Sequence, residues 1–231
     1  MDLYDVDSIE VSPDGSLLAL GGPDDGGQTI VVRVRDHKIL KTLTGASPLF
    51  SADGKTIATG VTSFGGEGEV EAQWKAIWFW QTGSFKLSRR FLLPDEGVQA
   101  IGFTSGKGNL LSLTSVYTNI PDADGGFEEI DNEVVFRDMK NGRPVRRFRL
   151  QKTALAKPTF SRSGHWLASG YVLKSGGTNR TALSIWDVTR RKRMYSSERF
   201  TDFVNDTEFS PNEKTLAVAV EKQLILFQLR S

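Results

Sequence analysis

A short cassette recurs along this chain at intervals of about 40 to 57 residues. Each copy has a short apolar strand, a serine-led turn and a second strand carrying a small residue. The clearest copies are Ile9-Glu10-Val11-Ser12-Pro13-Asp14-Gly15 followed by Leu17-Leu18-Ala19, and Leu49-Phe50-Ser51-Ala52-Asp53-Gly54 followed by Ile57-Ala58. Weaker copies begin at Ile101, Phe160 and Phe209, with second strands Leu110-Leu111-Ser112, Leu167-Ala168-Ser169 and Leu216-Ala217-Val218. A sheet of a few short strands cannot bury its own apolar faces, so the repeat predicts several like units packed side by side.

Every cassette runs on into a third strand, over residues 29–34, 76–80, 133–136, 183–186 and 224–227. Four continue into a fourth, over 39–43, 85–91, 145–150 and 193–197. The expected fold is therefore all-β: a propeller of about five four-stranded antiparallel blades, the last lacking its outer strand in the sequence. One domain is expected over 1–231, with repeats at approximately 6–45, 46–97, 98–153, 154–201 and 202–231. Ala19, Ala58, Ser112, Ala168 and Ala217 read as equivalent small residues where sheets pack closely.

The serine-led turns follow from local chemistry. Ser, Asp and Asn side chains bond nearby backbone, and Pro with Asp-Gly suits a tight reversal, so these turns are read as structure. The cassette together with Leu183-Ser184-Ile185-Trp186-Asp187-Val188 resembles a WD40 repeat, with one intact Trp-Asp pair, and the likeness covers nearly the whole chain. The resemblance implies a rigid platform for protein partners without catalysis. The chain departs from the family pattern in lacking a Gly-His pair before any first strand. The Trp-Asp position elsewhere reads Val34-Arg35, Trp80-Gln81, Phe136-Arg137 and Phe227-Gln228. The family's buried network of His, Ser, Asp and Trp is accordingly not expected, and blade stability is expected to rest on apolar packing.

Connections between second and third strands are long in four repeats, over 21–28, 61–75, 116–132 and 170–180, and in antiparallel blades they emerge on one face. Unequal loops on a uniform scaffold are where binding is expected. Three of the four are acidic. The partner-binding candidates are the anchors Trp74, Tyr117 and Phe127 with the steering charges Glu67, Glu69, Asp122, Asp124, Glu128 and Glu129. Aromatic anchors among like charges suit a basic protein surface or peptide. Basic residues collect instead on outer strands and on turns between third and fourth strands, among them Lys86, Arg89, Arg90, Arg143, Arg146, Arg147, Arg149 and the run Arg190-Arg191-Lys192-Arg193.

The last third strand, from Gln223 to Phe227, has no fourth strand after it. Such an edge invites edge-strand association unless it is covered. Three covers stay open: residues 2–4 returning as an outer strand, further blades if the chain is part of a larger signalling or regulatory protein, or a strand donated by a partner.

No catalytic, metal or cofactor apparatus is read from the sequence. With no cysteine among 231 residues, disulfides and thiolate sites are excluded. His37 and His165 read as exposed turn residues outside any metal-ligand spacing. The segment from Asp122 to Glu128 has alternate carboxylates but departs from a calcium loop at Gly126 and Phe127. Glycine-rich stretches at 64–69 and 175–177 join strand to strand, without a helix to hold phosphate. The basic run lacks interleaved aromatics, so nucleic acid is an unlikely partner. A net charge of +1, a start without signal-peptide character and no apolar run near 20 residues lead to an expected cytoplasmic protein with no membrane contact. The alternative is a hydrolytic propeller enzyme, glycosidase-like, with channel carboxylates Glu10, Asp206 and Glu208.

Overall fold

In the computed structural model the described residues are 6, 8–22, 27–60, 76–93, 97–104, 109–121, 127–150, 155–175, 178–200 and 204–229. Among them regular structure is all strand. The chain divides into two compact units, one of Met1–Ile101 with Met139–Arg143 and one of Gly102–Asp138 with Pro144–Ser231.

The first unit holds two four-stranded antiparallel sheets. Sheet 1 is β1 (Ser8–Val11), β2 (Leu17–Gly21), β3 (Gln28–Arg33) and β4 (Lys38–Thr44), paired in chain order. Sheet 2 is β5 (Ala46–Phe50), β6 (Thr56–Gly60), β7 (Ala76–Gln81) and β8 (Leu87–Leu92). Their shared core is Ala19, Val31 and Leu43 from sheet 1 against Phe50 and Ile57 from sheet 2.

The second unit holds most of sheet 3, made of β9 (Gly97–Phe103), β10 (Asn109–Pro121), β11 (Phe127–Asp138) and β12 (Pro144–Arg149). Sheet 4 is β13 (Leu155–Phe160), β14 (Trp166–Ser175), β15 (Thr178–Asp187) and β16 (Lys192–Phe200). Sheet 5 has three strands among the described residues, β17 (Val204–Phe209), β18 (Thr215–Val220) and β19 (Gln223–Gln228), so β19 is its edge as the sequence predicts. Within this unit the outer strand of one sheet meets the third strand of the next. Phe148 of β12 lies 6.4 Å from the Trp186 ring, and Tyr195 of β16 lies 5.3 Å from Phe227.

The five turns share one hydrogen-bond circuit. The leading hydroxyl accepts from the N–H five residues on, in Ser12 from Leu17 (2.9 Å), Ser51 from Thr56 (3.0 Å), Thr104 from Asn109 (3.2 Å), Ser161 from Trp166 (3.1 Å) and Ser210 from Thr215 (3.0 Å). Three of these hydroxyls also donate to an acid or amide two residues on: Asp14, Asp53 and Asn212. The reversal needs a left-handed residue, supplied by Gly15, Gly54 and Gly164 at φ near +70°. In the fifth turn Glu213 adopts φ 55° instead, and its carboxylate accepts from the N–H (2.5 Å) and hydroxyl (2.6 Å) of Ser163.

Register corrects one packing expectation. Ala19, Ala58, Ala168 and Ala217 each follow the residue that pairs with the tryptophan position of the third strand, but in sheet 3 that place belongs to Leu111, not Ser112. Glycines relieve the extra bulk nearby. A Cβ on Gly164 would lie 2.6 Å from Leu111 Cδ1, and one on Gly102 would lie 2.9 Å from the Phe160 side chain.

Candidate functional site

The tryptophan position is fixed by two marks that sequence spacing does not show. In sheets 1 to 4 the third strand shifts register against the fourth just before one residue, a β-bulge that places Val32, Trp80, Arg137 and Trp186 in equivalent positions. The same residues pair with Leu18, Ile57, Leu110 and Leu167 of the second strand. The expected Val34-Arg35 is therefore corrected to Val32-Arg33, and Phe136-Arg137 to Arg137-Asp138.

At that position two different side chains make one bond. Trp80 Nε1 donates to Thr59 Oγ1 at 3.0 Å, and the buried Arg137 donates from Nε to Ser112 Oγ at 2.9 Å. Thr59 and Ser112 each stand two residues past the partner of the tryptophan position. Arg137 thus replaces an indole by a guanidinium while keeping the N–H in place, and beside it the Arg146 guanidinium lies 3.9 Å over the Phe136 ring.

Sheet 4 holds more of the polar network than expected. Asp187, fully buried, accepts from the Arg190 N–H at 2.7 Å, with His165 Nε2 at 3.5 Å and Arg190 Nη1 at 3.4 Å from its other oxygen. His165 Nδ1 and Thr189 Oγ1 are 3.2 Å apart, and the imidazole stands edge-on to Trp166 at 4.6 Å. Trp186 Nε1 donates to Ser184 Oγ at 3.3 Å. His165 is half-buried rather than an exposed turn histidine, because the fourth-sheet turn folds it back over the aspartate. His37 is exposed in a turn at φ 57°, as the sequence predicts. Polar pairing supplements apolar packing in sheets 2 to 4.

The connections predicted as long loops are strand over much of their length in sheets 3 and 4. The β10–β11 ladder continues past the last β11–β12 pair, Glu133 with Arg149, through Tyr117 opposite Ile130 and Thr118 opposite Glu129 to Pro121 opposite Phe127. The β14–β15 ladder likewise runs on to Ser175 opposite Thr178. Both are two-stranded ribbons standing beyond their sheets. Strand-compatible alternation carries them through segments whose polar and glycine content reads as loop. Of the partner-binding candidates, Tyr117, Phe127, Glu128 and Glu129 have their backbone in the sheet 3 ribbon, while Glu67, Glu69, Trp74, Asp122 and Asp124 lie outside the described residues, as do residues 2–4.

Part of the basic rim is engaged structurally. Arg147 and Arg149 bracket Glu133 at 3.1 and 3.3 Å. Arg193 lies 6.0 Å over Trp186 and Arg89 5.9 Å over Phe91.

The channel carboxylates fall on first strands, Glu10 on β1 and Asp206 and Glu208 on β17. Asp206 and Glu208 share one face of β17, two residues apart. Glu208 reaches solvent, yet protein crowds its carboxyl. That burial first, and the Asp206 charge second, push its pKa above the ordinary carboxylate value. Among the described residues no group of three or more His, Cys, Asp or Glu is placed to hold a metal ion, and no helix is long and apolar enough to cross a membrane.

No protein-family model matches this sequence, and no curated protein matches it. Solved structures do. The β-propeller domain of Cps50 (Swd1) from Myceliophteria thermophila superposes with a TM-score of 0.64 at 15% identity, over 99% of this chain and 66% of that one. Kuenenia stuttgartiensis hydrazine synthase superposes with a TM-score of 0.66 at 16% identity, over 95% of this chain and 63% of that one. The chain spans less than two thirds of either neighbour. At this identity the likeness shows fold alone, and the fold is a β-propeller made of five antiparallel sheets.

Proposed function

We propose that the chain is a divergent WD40-like propeller serving as a non-enzymatic, cytoplasmic scaffold for protein partners. The observation that carries this reading is the sheet 3 ribbon, which holds backbone ladder from Val116 to Pro121, beyond the last described pair of β11 with β12. Ladder pairing pre-orders the backbone that carries Tyr117, Phe127, Glu128 and Glu129, and pre-ordering lowers the entropic cost of binding. The Trp80–Thr59 bond and the His165–Asp187 pair support the WD40 likeness. The ligand is a basic protein surface or peptide, drawn by the acidic residues of the ribbon and its tip.

Fluorescence anisotropy with arginine- and lysine-rich labelled peptides tests the reading. Binding should weaken as salt rises, and deleting 117–131 or replacing Glu128 and Glu129 by Gln should weaken it about ten-fold or more. Peptide affinity unchanged by both variants refutes the ribbon assignment.

A hydrolytic reading is favoured by one observation, the raised pKa of Glu208 beside Asp206, a pattern found among general acids. Turnover of model glycosides that is lost in Glu208→Gln and Glu10→Gln would replace the scaffold reading. No turnover by wild type removes the enzyme.

A further inference from the structure

Strand β12 sorts its side chains by face. Along Arg146-Arg147-Phe148-Arg149 the exposed Arg147 and Arg149 share Glu133 on one side, while the half-buried Arg146 and Phe148 stand on the other. That second side meets sheet 4, since Phe148 lies 6.4 Å from the Trp186 ring. All of these residues belong to the same compact unit.

Sheet 4 answers with further positive charge. Its turn from β15 to β16 carries Arg190 and Arg191, and Arg193 lies over Trp186 at 6.0 Å. Buried Asp187 accepts from the Arg190 N–H and so fixes the turn, in which Arg191 takes the left-handed place at φ 56°. The backbone does not call for arginine there. The left-handed residue of the matching turn is His37 in sheet 1, Phe85 in sheet 2 and Gly142 in sheet 3.

Most neighbouring cations are answered by an acid, Arg147 and Arg149 by Glu133 and Arg190 by Asp187. Arg146 and Arg191 differ. Among the described residues no carboxylate pairs with either of them. Burial first, and the Arg191 charge second, hold the Arg146 guanidinium below its ordinary pKa, so the two like charges feel one another between the sheets. A pair of guanidiniums gathered without an acid is completed by one group bearing about two negative charges.

We propose that Arg146 and Arg191 clamp a phosphate monoester between sheets 3 and 4. A monoester brings about −1.5 to −2 charge at neutral pH and three acceptor oxygens, which suit two guanidinium forks. A single carboxylate leaves one cation unanswered. A nucleic-acid strand fits worse, because its bases need open aromatic faces and here arginines lie over both Phe136 and Trp186. The monoester is carried by a phosphorylated segment of a partner protein or by a phosphorylated small molecule. This site takes the charge opposite to the one the ribbon takes, so it stands independently of the ribbon.

Isothermal titration calorimetry of the full chain tests the clamp at about pH 7.5, where the monoester is mostly dianionic. The ligands are phenyl phosphate, phenyl sulfate and a phosphoserine peptide, each taken to about 10 mM to reach modest affinities. Phenyl phosphate should bind about ten-fold or more tightly than the singly charged sulfate. Arg191→Gly and Arg146→Gln should each weaken phosphate binding about ten-fold or more. Glycine suits the left-handed turn, as Gly142 does, so Arg191→Gly should melt no lower than wild type by circular dichroism while losing the ligand. If it does unfold, Arg146→Gln carries the same criterion. Arg89→Gln, which removes the like arginine over Phe91 in sheet 2, should bind as wild type does. A phosphoserine peptide about ten-fold tighter than phenyl phosphate, with its unphosphorylated form silent, assigns the group to a partner protein, whereas equal or weaker peptide binding assigns it to a small molecule. No phosphate binding in this range overturns the proposal. So do sulfate binding of equal strength, affinity unchanged in the folded clamp variants, and a loss in Arg89→Gln as large as theirs.

Discussion

Sheets 2 and 3 solve one problem with unlike side chains. Trp80 fills its position with an indole and donates to Thr59, and Arg137 fills the equivalent place with a buried guanidinium that donates to Ser112. What the two share is an N–H held at one point over the second strand. The lesson is that this repeat selects a donor position and a volume, and the residue type follows from whichever side chain supplies both.

The hardest test of that equivalence is Arg137→Ala, which removes the largest fully buried side chain among the described residues and takes away the Ser112 hydroxyl's Arg137 donor. It should cost about 3–4 kcal/mol and lower the melting temperature by about 10 °C. Arg137→Trp restores a donor and should lose less than half as much. Equal losses for the two variants by calorimetry would break the comparison.

A smaller effect is expected at the sheet 2 acceptor. Thr59 also donates to the Thr44 carbonyl at 2.6 Å, so Thr59→Val removes two bonds and should cost about 1–2 kcal/mol, against about 1 for Trp80→Phe. A double-mutant cycle in urea measures their coupling, which should be close to the single-bond value.

The next two effects contrast charged and neutral groups in like positions. Hydrogen bonds from Ser12 first, and from Ser16, hold the Asp14 pKa down at about 2, whereas Asn212 fills the same place in the fifth turn without titrating. A depressed carboxylate pKa stabilises the fold above the unfolded value, and that contribution is lost as pH falls toward 2. Asp14→Asn should therefore melt below wild type at neutral pH and converge with it near pH 2. Glu208 has the opposite sign. Its raised pKa marks a charge the folded state disfavours, so Glu208→Gln should raise the melting temperature slightly at pH 7, by about a degree or two at most, and leave it unchanged once both folded and unfolded carboxyls are protonated. A lowered melting temperature at pH 7 would contradict the crowding around that carboxyl.

Much of the architecture was legible because its chemistry is local. Ser12 with Asp14, and Ser51 with Asp53, announce their own turns, and those turns bound the strands. The three strands of the last repeat, up to Phe227, could be counted directly. The tryptophan position in sheets 1 and 3 could not, since strand pairing fixes it and neither Val32 nor Arg137 carries an aromatic signature. A hydroxyl residue two places after the paired apolar residue, as at Thr59 and Ser112, was the available signal. The sheet 3 ribbon reads as loop because acidic and polar residues dominate it, although Val116, Thr118 and Ile120 alternate as a strand would. His165 reads as exposed for a different reason: its partner Asp187 lies 22 positions away, joined by register rather than by spacing.

The serine turns carry a consequence for how such a chain grows. Each circuit closes between a hydroxyl and an amide five positions along, three of them with an acid or amide two positions along, and that closing bond lies within a single repeat. A duplicated segment would bring its own reversal with it, already wired. Lengthening or shortening this protein by one sheet therefore leaves every other hairpin's closing bond in place, and the adjustment falls on the faces that must learn a new neighbour and on links between turns such as Glu213 with Ser163.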